Sequence, residues 1–497
     1  MSRIPVLTPD ELRAVENRAA GWSPSLMDRA GRATATAALR LARDGEGPIV
    51  VVAGPGNNGG DAWVAAAHLR ESFEHVVVVD LMGTAPKAPE ARAAKSEFAA
   101  RSGAIVRDWP TRANPALVID GLLGIGLARD VDPACADAIG RVNGCGAPVL
   151  AIDVPSGLDA HTGVVRGSAV RATHTLTFIA HKLGLHTGAG PDHCGVLELD
   201  DLGAGDQALV ESRGSLLTPA TVRGWLRPRA RASHKGDFGT VAIIGGNRGM
   251  VGAALLAGRA ALHAGAGKVF VGLLAPDAIT VDLLHPELML RPVDDTFGAD
   301  VIVIGPGAGR SPSATSASMF ERTTLPAALA LARPLVADAD ALNVIALSEA
   351  LQRTLAARRA ATILTPHPAE AARLLGRSTT EVQADRLAAA RALAARYHAY
   401  VVLKGAGSVC AFPDERWAVN ATGNPGLASG GTGDVLAGMI GALLAQGLDA
   451  ERALQLAVCV HGAAADALVA AGKGPIGLTA SEVTVEARRL MNAWTAG

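Results

Sequence analysis

Gly423-Asn424-Pro425-Gly426-Leu427-Ala428-Ser429-Gly430-Gly431-Thr432-Gly433-Asp434-Val435-Leu436-Ala437-Gly438 joins a glycine-rich stretch without apolar periodicity to a helix-like apolar run, Val435 to Leu444. The pattern predicts a loop opening a helix. Glycines at 430, 431 and 433 let the backbone come close to a ligand, and the unpaired N–H groups of a first helical turn favour an anion such as phosphate. Asp434 then stands where a base reaches a hydroxyl held beside that anion. A carboxylate that only caps the helix and complements its dipole, worth about 0.3–1 kcal/mol, explains the same residue. Taken alone, the two readings are even.

Working upstream, the second half of the chain repeats one unit. Ser233-His234-Lys235-Gly236-Asp237-Phe238-Gly239 leads into an apolar run, Val241–Ile244, and then the loop Gly245-Gly246-Asn247-Arg248-Gly249-Met250-Val251-Gly252-Ala253. Further strands are predicted at Val269–Leu273, Val301–Ile304, Leu335–Ala337, Thr362–Leu364 and Val401–Leu403. The loops behind them carry the polar residues: Gly305-Pro306-Gly307-Ala308-Gly309, Asp338-Ala339-Asp340-Ala341-Leu342, Thr365-Pro366-His367-Pro368-Ala369-Glu370 and Lys404-Gly405-Ala406-Gly407-Ser408. A glycine turn or an Asp N-cap explains any one of these, and His367 alone reads as an ordinary residue at a helix start. Five such loops in order, with the opening stretch as the sixth, form a constellation.

The first half has the same grammar. Thr8-Pro9-Asp10-Glu11 is a capping box with proline at the first helical position, and Leu26-Met27-Asp28-Arg29-Ala30-Gly31 begins a second, alanine-rich helix. Ile49-Val50-Val51-Val52 has the length and β-branching of a buried parallel strand. It stops at Gly54-Pro55-Gly56-Asn57-Asn58-Gly59-Gly60-Asp61, read as a loop, and Ala62 to Arg70 reads as helix. Strand, glycine-rich loop and helix are where α/β folds bind nucleotides. The glycine spacing and the missing ribose acid make an ordinary Rossmann dehydrogenase a poor match. Two asparagines and an aspartate exceed what a structural turn requires, so the loop reads as ligand-binding. Strands recur at Val76–Val79, Leu117–Ile119 and Val149–Ile152, giving a mostly parallel sheet. Two of them end in polar loops, Asp120-Gly121-Leu122-Leu123-Gly124-Ile125-Gly126 and Asp153-Val154-Pro155-Ser156-Gly157. His161, His174, His181 and His186 are spaced too irregularly for a metal site and read as solvated or hydrogen-bonded. Lys182 reads equally as a phosphate contact or a surface lysine.

At 497 residues the chain exceeds what one hydrophobic core serves, so two domains are expected. Arg223, Arg227, Arg229 and Arg231 cluster with Pro219 and Pro228 where the apolar pattern weakens between Asp206 and Ser233, which predicts a linker and domains of 1–213 and 214–497. Aromatics make up only 3% and the formal charge is −1, so neither nucleic acid nor an anionic membrane is drawn to the chain. Five cysteines without a Cys-Xaa-Xaa-Cys pair suit free thiols in a reducing cytoplasm. No basic-then-apolar leader opens the sequence, and no uncharged apolar run reaches about 18 residues, so a soluble cytoplasmic protein is expected.

The opening stretch resembles the phosphate loop of the ribokinase-like superfamily and, more closely, the signature of the ADP/ATP-dependent NAD(P)H-hydrate dehydratases. The three loops of the first half resemble the NAD(P)H-hydrate epimerase domain, so the whole chain is similar to the fused, bifunctional NAD(P)H-hydrate repair enzymes. The resemblance implies an α/β protein of two three-layer α/β/α domains, Rossmann-like at the amino end and ribokinase-like at the carboxyl end. It implies catalytic roles for Asp434 and Asp153, and a potassium site of Asn58, Asp120 and Ser156. Hydrated NADH and NADPH (NADHX and NADPHX) would meet Asn57, Asn58, Gly59, Gly60, Asp61, Gly124, Ile125, Gly126, Leu127, Ala128, Arg129, Asp130 and Asp153 in the first half, and Ala253, Gly307, His367 and Asp434 in the second. ADP or ATP, with Mg2+, would meet Lys404, Gly405, Ala406, Gly407, Ser408 and Gly433. A homo-oligomer is expected. Two positions depart from the family pattern, Ala62 after Asp61 and Ala369, where glycine is usual. A small-alcohol kinase would share the second fold but leaves the first half unexplained. A non-catalytic binding protein is opposed by the intact Asn58, Asp120, Asp153 and Ser156.

Overall fold

The computed structural model describes residues 3–42, 47–81, 83, 86, 88–110, 114–205, 212–309 and 318–496. Residues 206–211 of the predicted linker lie outside them. The chain divides into two compact units, Pro5–Gly214 and Ser215–Gly497 with Met1–Ile4.

The first unit carries strands β1 (Ile4–Leu7), β2 (Ile49–Ala53), β3 (Val76–Asp80), β4 (Ala104–Val106), β5 (Leu117–Gly121), β6 (Val149–Ile152), β7 (His174–Phe178), β8 (His181–Lys182) and β9 (Val196–Asp200). The main sheet runs β4-β3-β2-β5-β6-β7-β9 with every neighbouring pair parallel. Alternate residues of β2 explain the layers. Ile49, Val51 and Ala53 join one apolar cluster with helices Leu26–Leu41, Asn57–Leu69 and Pro89–Ala100, and Val50 and Val52 join another with helix Pro133–Asn143. Full burial of a Val or Ile side chain contributes about 1.5–3 kcal/mol, so a strand covered on both faces is apolar throughout. That is why the run Ile49–Val52 is conspicuous.

One local expectation is corrected here. The segment Asn57–Asp61 is not a loop ahead of a helix at Ala62; it forms the first turns of helix Asn57–Leu69. Glycine's poor helix propensity is outweighed by close packing, since a Cβ on Gly59 would stand 1.8 Å from Gly54 O. Ala62 is helical and fully buried.

The second unit carries β10 (Gly214–Leu217), β11 (Thr240–Gly245), β12 (Lys268–Leu273), β13 (Met289–Arg291), β14 (Val301–Ile304), β15 (Leu335–Ala337), β16 (Thr362–Leu364), β17 (Tyr400–Leu403), β18 (Val409–Ala411) and β19 (Trp417–Asn420). Their order is β13-β12-β11-β14-β15-β16-β17-β18-β19-β10, parallel as far as β17 and antiparallel through β18 and β19. Val241, Ile243, Val301 and Val303 face helices Val251–His263, Thr432–Ala445, Ala450–Ala470 and Ala480–Ala496, while Ala242, Ile244, Ile302 and Ile304, equally buried, face the other side. Small residues allow the tight helix contacts: a Cβ on Gly438 would lie 2.0 Å from Ala257 O of the neighbouring helix. Helix Ala450–Ala470 is long and apolar enough to cross a membrane by length and composition, but 72% of its apolar window is buried in the protein as a core helix. All five cysteines are free thiols.

Candidate active sites

In the second unit the polar loops meet at the carboxyl ends of the parallel strands, as open α/β sheets require. Helix Thr432–Ala445 starts from Gly431, whose left-handed backbone (φ 89°) turns the chain into the first helical turn. Thr432 Oγ1 binds back to the carbonyls of Leu427 and Ser429, both at 2.9 Å, and Asp466 holds Gly423 N and Asn424 Nδ2 at 2.8 and 2.9 Å. The loop is therefore fixed by its own backbone and by helix Ala450–Ala470, leaving the first-turn amides without intrahelical acceptors. A cavity of about 420 Å³ flanks it, lined by Pro425, Ser429, Ile476 and Leu478 among others.

Lys404, at the end of β17, reaches over this turn: a Cβ on Gly433 would lie 3.2 Å from its Nζ. Its ammonium also pairs with Asp338 Oδ1 at 2.8 Å, and Asp338, almost wholly buried, accepts from Thr365 Oγ1 at 2.7 Å. Burial works against the lysine's charge, but Asp338, Glu370 and Asp434 together raise its pKa. Burial raises Asp434 first and Asp338 next, with Asp340 and Glu370 adding and Lys404 opposing, so its carboxyl is pushed up to about 7. That value suits a group that must take a proton near neutrality. Burial likewise pushes Glu370 up to about 7.

The other predicted residues of this unit fall around the same edge. A Cβ on Gly307 would lie 2.8 Å from Ala253 Cβ, so these two are in contact. His367 caps helix Pro368–Leu375: its Nδ1 accepts from Ala369 N–H at 3.1 Å and Glu370 Oε2 accepts from His367 N–H at 2.8 Å. It also faces Lys404, and burial first, then that charge, lowers its pKa. Gly405, Ala406, Gly407 and Ser408 form the turn between β17 and β18, braced by buried Arg386, which donates to Leu403 O and Lys404 O. Asp340 accepts from Gly309 N at 2.8 Å, and Ala339 beside it holds a strained φ of 49°. Sequence reading passed over Asp338, Asp340 and Glu370 as site residues, although each is a carboxylate within a few residues of a strand's carboxyl end: Asp338 directly follows β15, and Asp340 and Glu370 lie in the first turns of helices Asp340–Ala346 and Pro368–Leu375.

In the first unit, Asn58 and Ser156 meet at Leu123, and Asp120 joins them through Ser156 and Leu122 N–H. Asn58 Nδ2 donates to Leu123 O at 2.8 Å, and Ser156 Oγ accepts from Leu123 N–H at 2.8 Å. Asp120 is fully buried at the end of β5; Ser156 Oγ lies 2.6 Å from its Oδ1 and Ser156 N–H donates to its Oδ2 at 2.8 Å. Burial raises the Asp120 pKa, with the Ser156 bonds opposing. The donor set is all oxygen, with one carboxylate, an amide, a hydroxyl and a carbonyl. That charge is too small for a dedicated Ca2+ or Mg2+ cage and fits a monovalent cation.

Asp153 follows β6 in a left-handed conformation (φ 63°). Its Oδ1 accepts from Lys182 Nζ, from Thr177 Oγ1 at 3.1 Å and from Phe178 N–H at 3.0 Å. Lys182 is thus neither at the surface nor free for phosphate; it is buried as the partner of Asp153. Local sequence could not show a pairing that spans two strands. Asn57 is exposed at the helix start, and Asn58, Gly59 and Gly60 are buried behind it. In the Gly124–Asp130 loop, Gly124 lies against Asn58, Ile125 packs beside Leu7 and Leu12, and Gly126, Ala128, Arg129 and Asp130 are exposed around half-buried Leu127. His181 and His186 hydrogen-bond each other at 3.1 Å, and burial lowers them to about 4 and about 3, so both are neutral at pH 7. Among the described residues no group of three or more His, Cys, Asp or Glu is placed to hold a metal.

Comparison with known proteins assigns both halves. Residues 241–487 match the family model described as NAD(P)H-hydrate dehydratase, and residues 23–184 match that described as YjeF-related protein N-terminus. The bifunctional NAD(P)H-hydrate repair enzyme Nnr of Escherichia coli (strain K12) is 37% identical, the match covering 99% of this chain and 96% of that protein. The corresponding enzyme of Coxiella burnetii is 39% identical over 94% of each chain. Among solved structures, the ADP/ATP-dependent NAD(P)H-hydrate dehydratase of Bacillus subtilis co-crystallized with ATP/Mg2+ is 33% identical, covering 56% of this chain and 97% of its own, with a TM-score of 0.48.

Proposed function

The chain belongs to the bifunctional NAD(P)H-hydrate repair enzymes, and on that premise we propose a division of labour: residues 214–497 dehydrate NADHX and NADPHX with ADP or ATP, and residues 1–213 interconvert their R and S forms. The observation that carries this reading is Asp434, half-buried in the first turn of an open helix end beside Lys404, with a pKa brought to about 7. The hydrate carries a poor leaving group, a ring hydroxyl. Asp434 takes the hydroxyl proton as the hydroxyl oxygen attacks the terminal phosphoryl group of ADP or ATP, whose bond to the rest of the nucleotide breaks to release AMP or ADP, while the Gly430–Gly433 amides and Lys404 stabilise the charge in transfer. Phosphate then leaves with the carbon–oxygen electron pair, pushed by the ring nitrogen, and loss of a proton from the adjacent carbon restores the dihydronicotinamide. Lys404, Gly405, Ala406, Gly407, Ser408 and Gly433 are assigned to the nucleotide, and Ala253, Gly307, His367 and Asp434 to the hydrate. When bound with ADP or ATP, Mg2+ would neutralise the charge of the phosphates held at the Gly430–Gly433 turn.

In the first unit Asp153 is the proton-transfer group beside the nicotinamide ring. Residues Asn57–Asp61 and the Gly124–Asp130 loop hold the dinucleotide, and Asn58, Asp120 and Ser156 would hold K+, fixing the loops around it. Replacing K+ by a large organic cation is therefore expected to lower epimerisation several-fold and to lower the melting temperature, with S-hydrate dehydration unchanged. Unaltered exchange and melting would remove the ion from the account. The protein is proposed to work in the cytoplasm as a homo-oligomer, where five free thiols suit a reducing medium.

Each half carries its own sheet and core, so fragments 1–213 and 214–497 are expected to fold separately. The first should exchange epimers without nucleotide, and the second should form NADH from the S hydrate with ADP or ATP. Two inactive fragments beside an active full chain would place the boundary elsewhere. A small-alcohol kinase, the competing reading, predicts no NADH formation from either form.

A further inference from the structure

Lys182 is bonded around Asp153 in a way that leaves no donor for a ligand. Its Nζ donates to Asp153 Oδ1, to Thr177 Oγ1 at 2.9 Å and to Phe178 O at 2.7 Å, which uses all three N–H groups of an ammonium. The same two neighbours also bond the carboxylate: Thr177 Oγ1 donates to Asp153 Oδ1 at 3.1 Å and Phe178 N–H at 3.0 Å. All three donors thus fall on Oδ1. Among the described residues none donates to Oδ2, so one oxygen is pinned and the other is open. The Asp153 side chain keeps 14% of its surface exposed, against 4% for Lys182, and Thr177 is fully buried.

The backbone is bent to make this arrangement. Asp153 (φ 63°) and Ile179 (φ 68°) both hold left-handed conformations, and Ile179 is β-branched, for which that region is an outlier. Ile179 lies at the corner between β7 and β8, which brings Lys182 back onto Asp153. Such strain persists only where the surroundings over-determine it. A buried ion pair serving stability alone gains by hydrogen-bonding both carboxylate oxygens; this one leaves one of them free.

We propose that Lys182 is a positioning residue of the epimerisation, fixing Asp153 by Oδ1 so that Oδ2 is presented to the hydrate. The assignment rests on the function proposed for the first unit. Oδ2 takes a proton from the bound hydrate and returns one in the same turnover, so the carboxylate ends each cycle as it began. Lys182 itself touches neither the substrate nor that proton. Its charge has a second effect, because a cation bonded to a carboxylate favours the ionised form that a base requires. The other titratable groups around the pair are Asp61 on helix Asn57–Leu69, Glu16 on helix Pro9–Arg18 with Arg13 acting on it, and neutral His181. Without Lys182, Asp153 is left with two acids for neighbours.

Lys182→Met in the full-length chain keeps the apolar stem and removes the ammonium. R-to-S exchange is expected to lose roughly 10–10²-fold in kcat near neutrality, with KM little changed and S-hydrate dehydration unchanged. That loss should shrink as pH rises, because the unpaired carboxylate takes a proton more readily and the acid side of the profile moves up by about 1–3 pH units. A role in stability alone would lower the rate by the same factor at every pH. Lys182→Arg keeps the charge, but its planar fork cannot repeat the three bonds, so kcat should fall while the profile stays in place. A Lys182→Met rate near wild type, a rise in KM alone, or a loss independent of pH overturns the assignment. If that variant does not fold, a wild-type kcat in Lys182→Arg overturns it instead. A wild-type chain that exchanges no epimers overturns the proposed function itself, whatever Lys182 does.

Discussion

Asp434→Asn is expected to lower nucleotide-dependent NADH formation by roughly 10²–10⁴-fold while leaving exchange of the R and S hydrates intact. The amide keeps the size and the helix-start position of the carboxylate but cannot take a proton. The same reasoning fixes the pH profile. With its pKa near 7, Asp434 is an active base only above that pH, so wild-type dehydration should rise with pH through about 7 and fall by about tenfold for each unit below it. The variant should lose that limb. Dehydration near the wild-type rate would leave Asp434 as a cap that complements the helix dipole.

Asp153→Asn is expected to bring R-to-S exchange down towards its spontaneous rate, a loss of roughly 10²–10⁴-fold, with S-hydrate dehydration unchanged. Asparagine tolerates the left-handed backbone that Asp153 adopts and can still accept from Thr177 and Phe178, so the turn should survive. What it cannot do is act as a base or neutralise Lys182, which is buried with its ammonium against this residue. Removing one partner of a buried pair costs about 3–5 kcal/mol, so a lower melting temperature should accompany the loss. Circular dichroism and retained substrate binding separate that cost from unfolding. Wild-type exchange in this variant would reduce Asp153 to a residue that caps the Pro155-Ser156-Gly157 turn.

The layers were legible because parallel strands buried on both faces are uninterrupted apolar runs; Val149–Ile152, Val301–Ile304 and Thr362–Leu364 coincide with β6, β14 and β16. Strands at a sheet edge or in a hairpin were not. Ala104–Val106 is three residues long and largely exposed, and β18 and β19 turn antiparallel directly after the Lys404–Ser408 loop. The start of helix Asn57–Leu69 was hidden because glycine's local preference points to a loop, and only contact with Gly54 reverses it. The loops at the carboxyl ends of the strands could be named from sequence because they follow apolar runs. Partnerships within them could not: Lys182 with Asp153 and Lys404 with Asp338 join residues far apart in the chain, which composition and spacing do not encode. Nor could sequence choose between base and cap for Asp434, since that depends on how many buried carboxylates surround it.

The most direct test of the account is the completeness of repair by one chain. An R and S mixture of NADHX is incubated with the full-length protein, Mg2+, K+ and ADP or ATP, and NADH is followed to its end point. The account predicts that the whole mixture becomes NADH, whereas Asp153→Asn consumes the S form quickly and leaves the R form to drain at its spontaneous rate. A wild-type chain that stops after the S fraction, or that forms no NADH with either nucleotide, contradicts it.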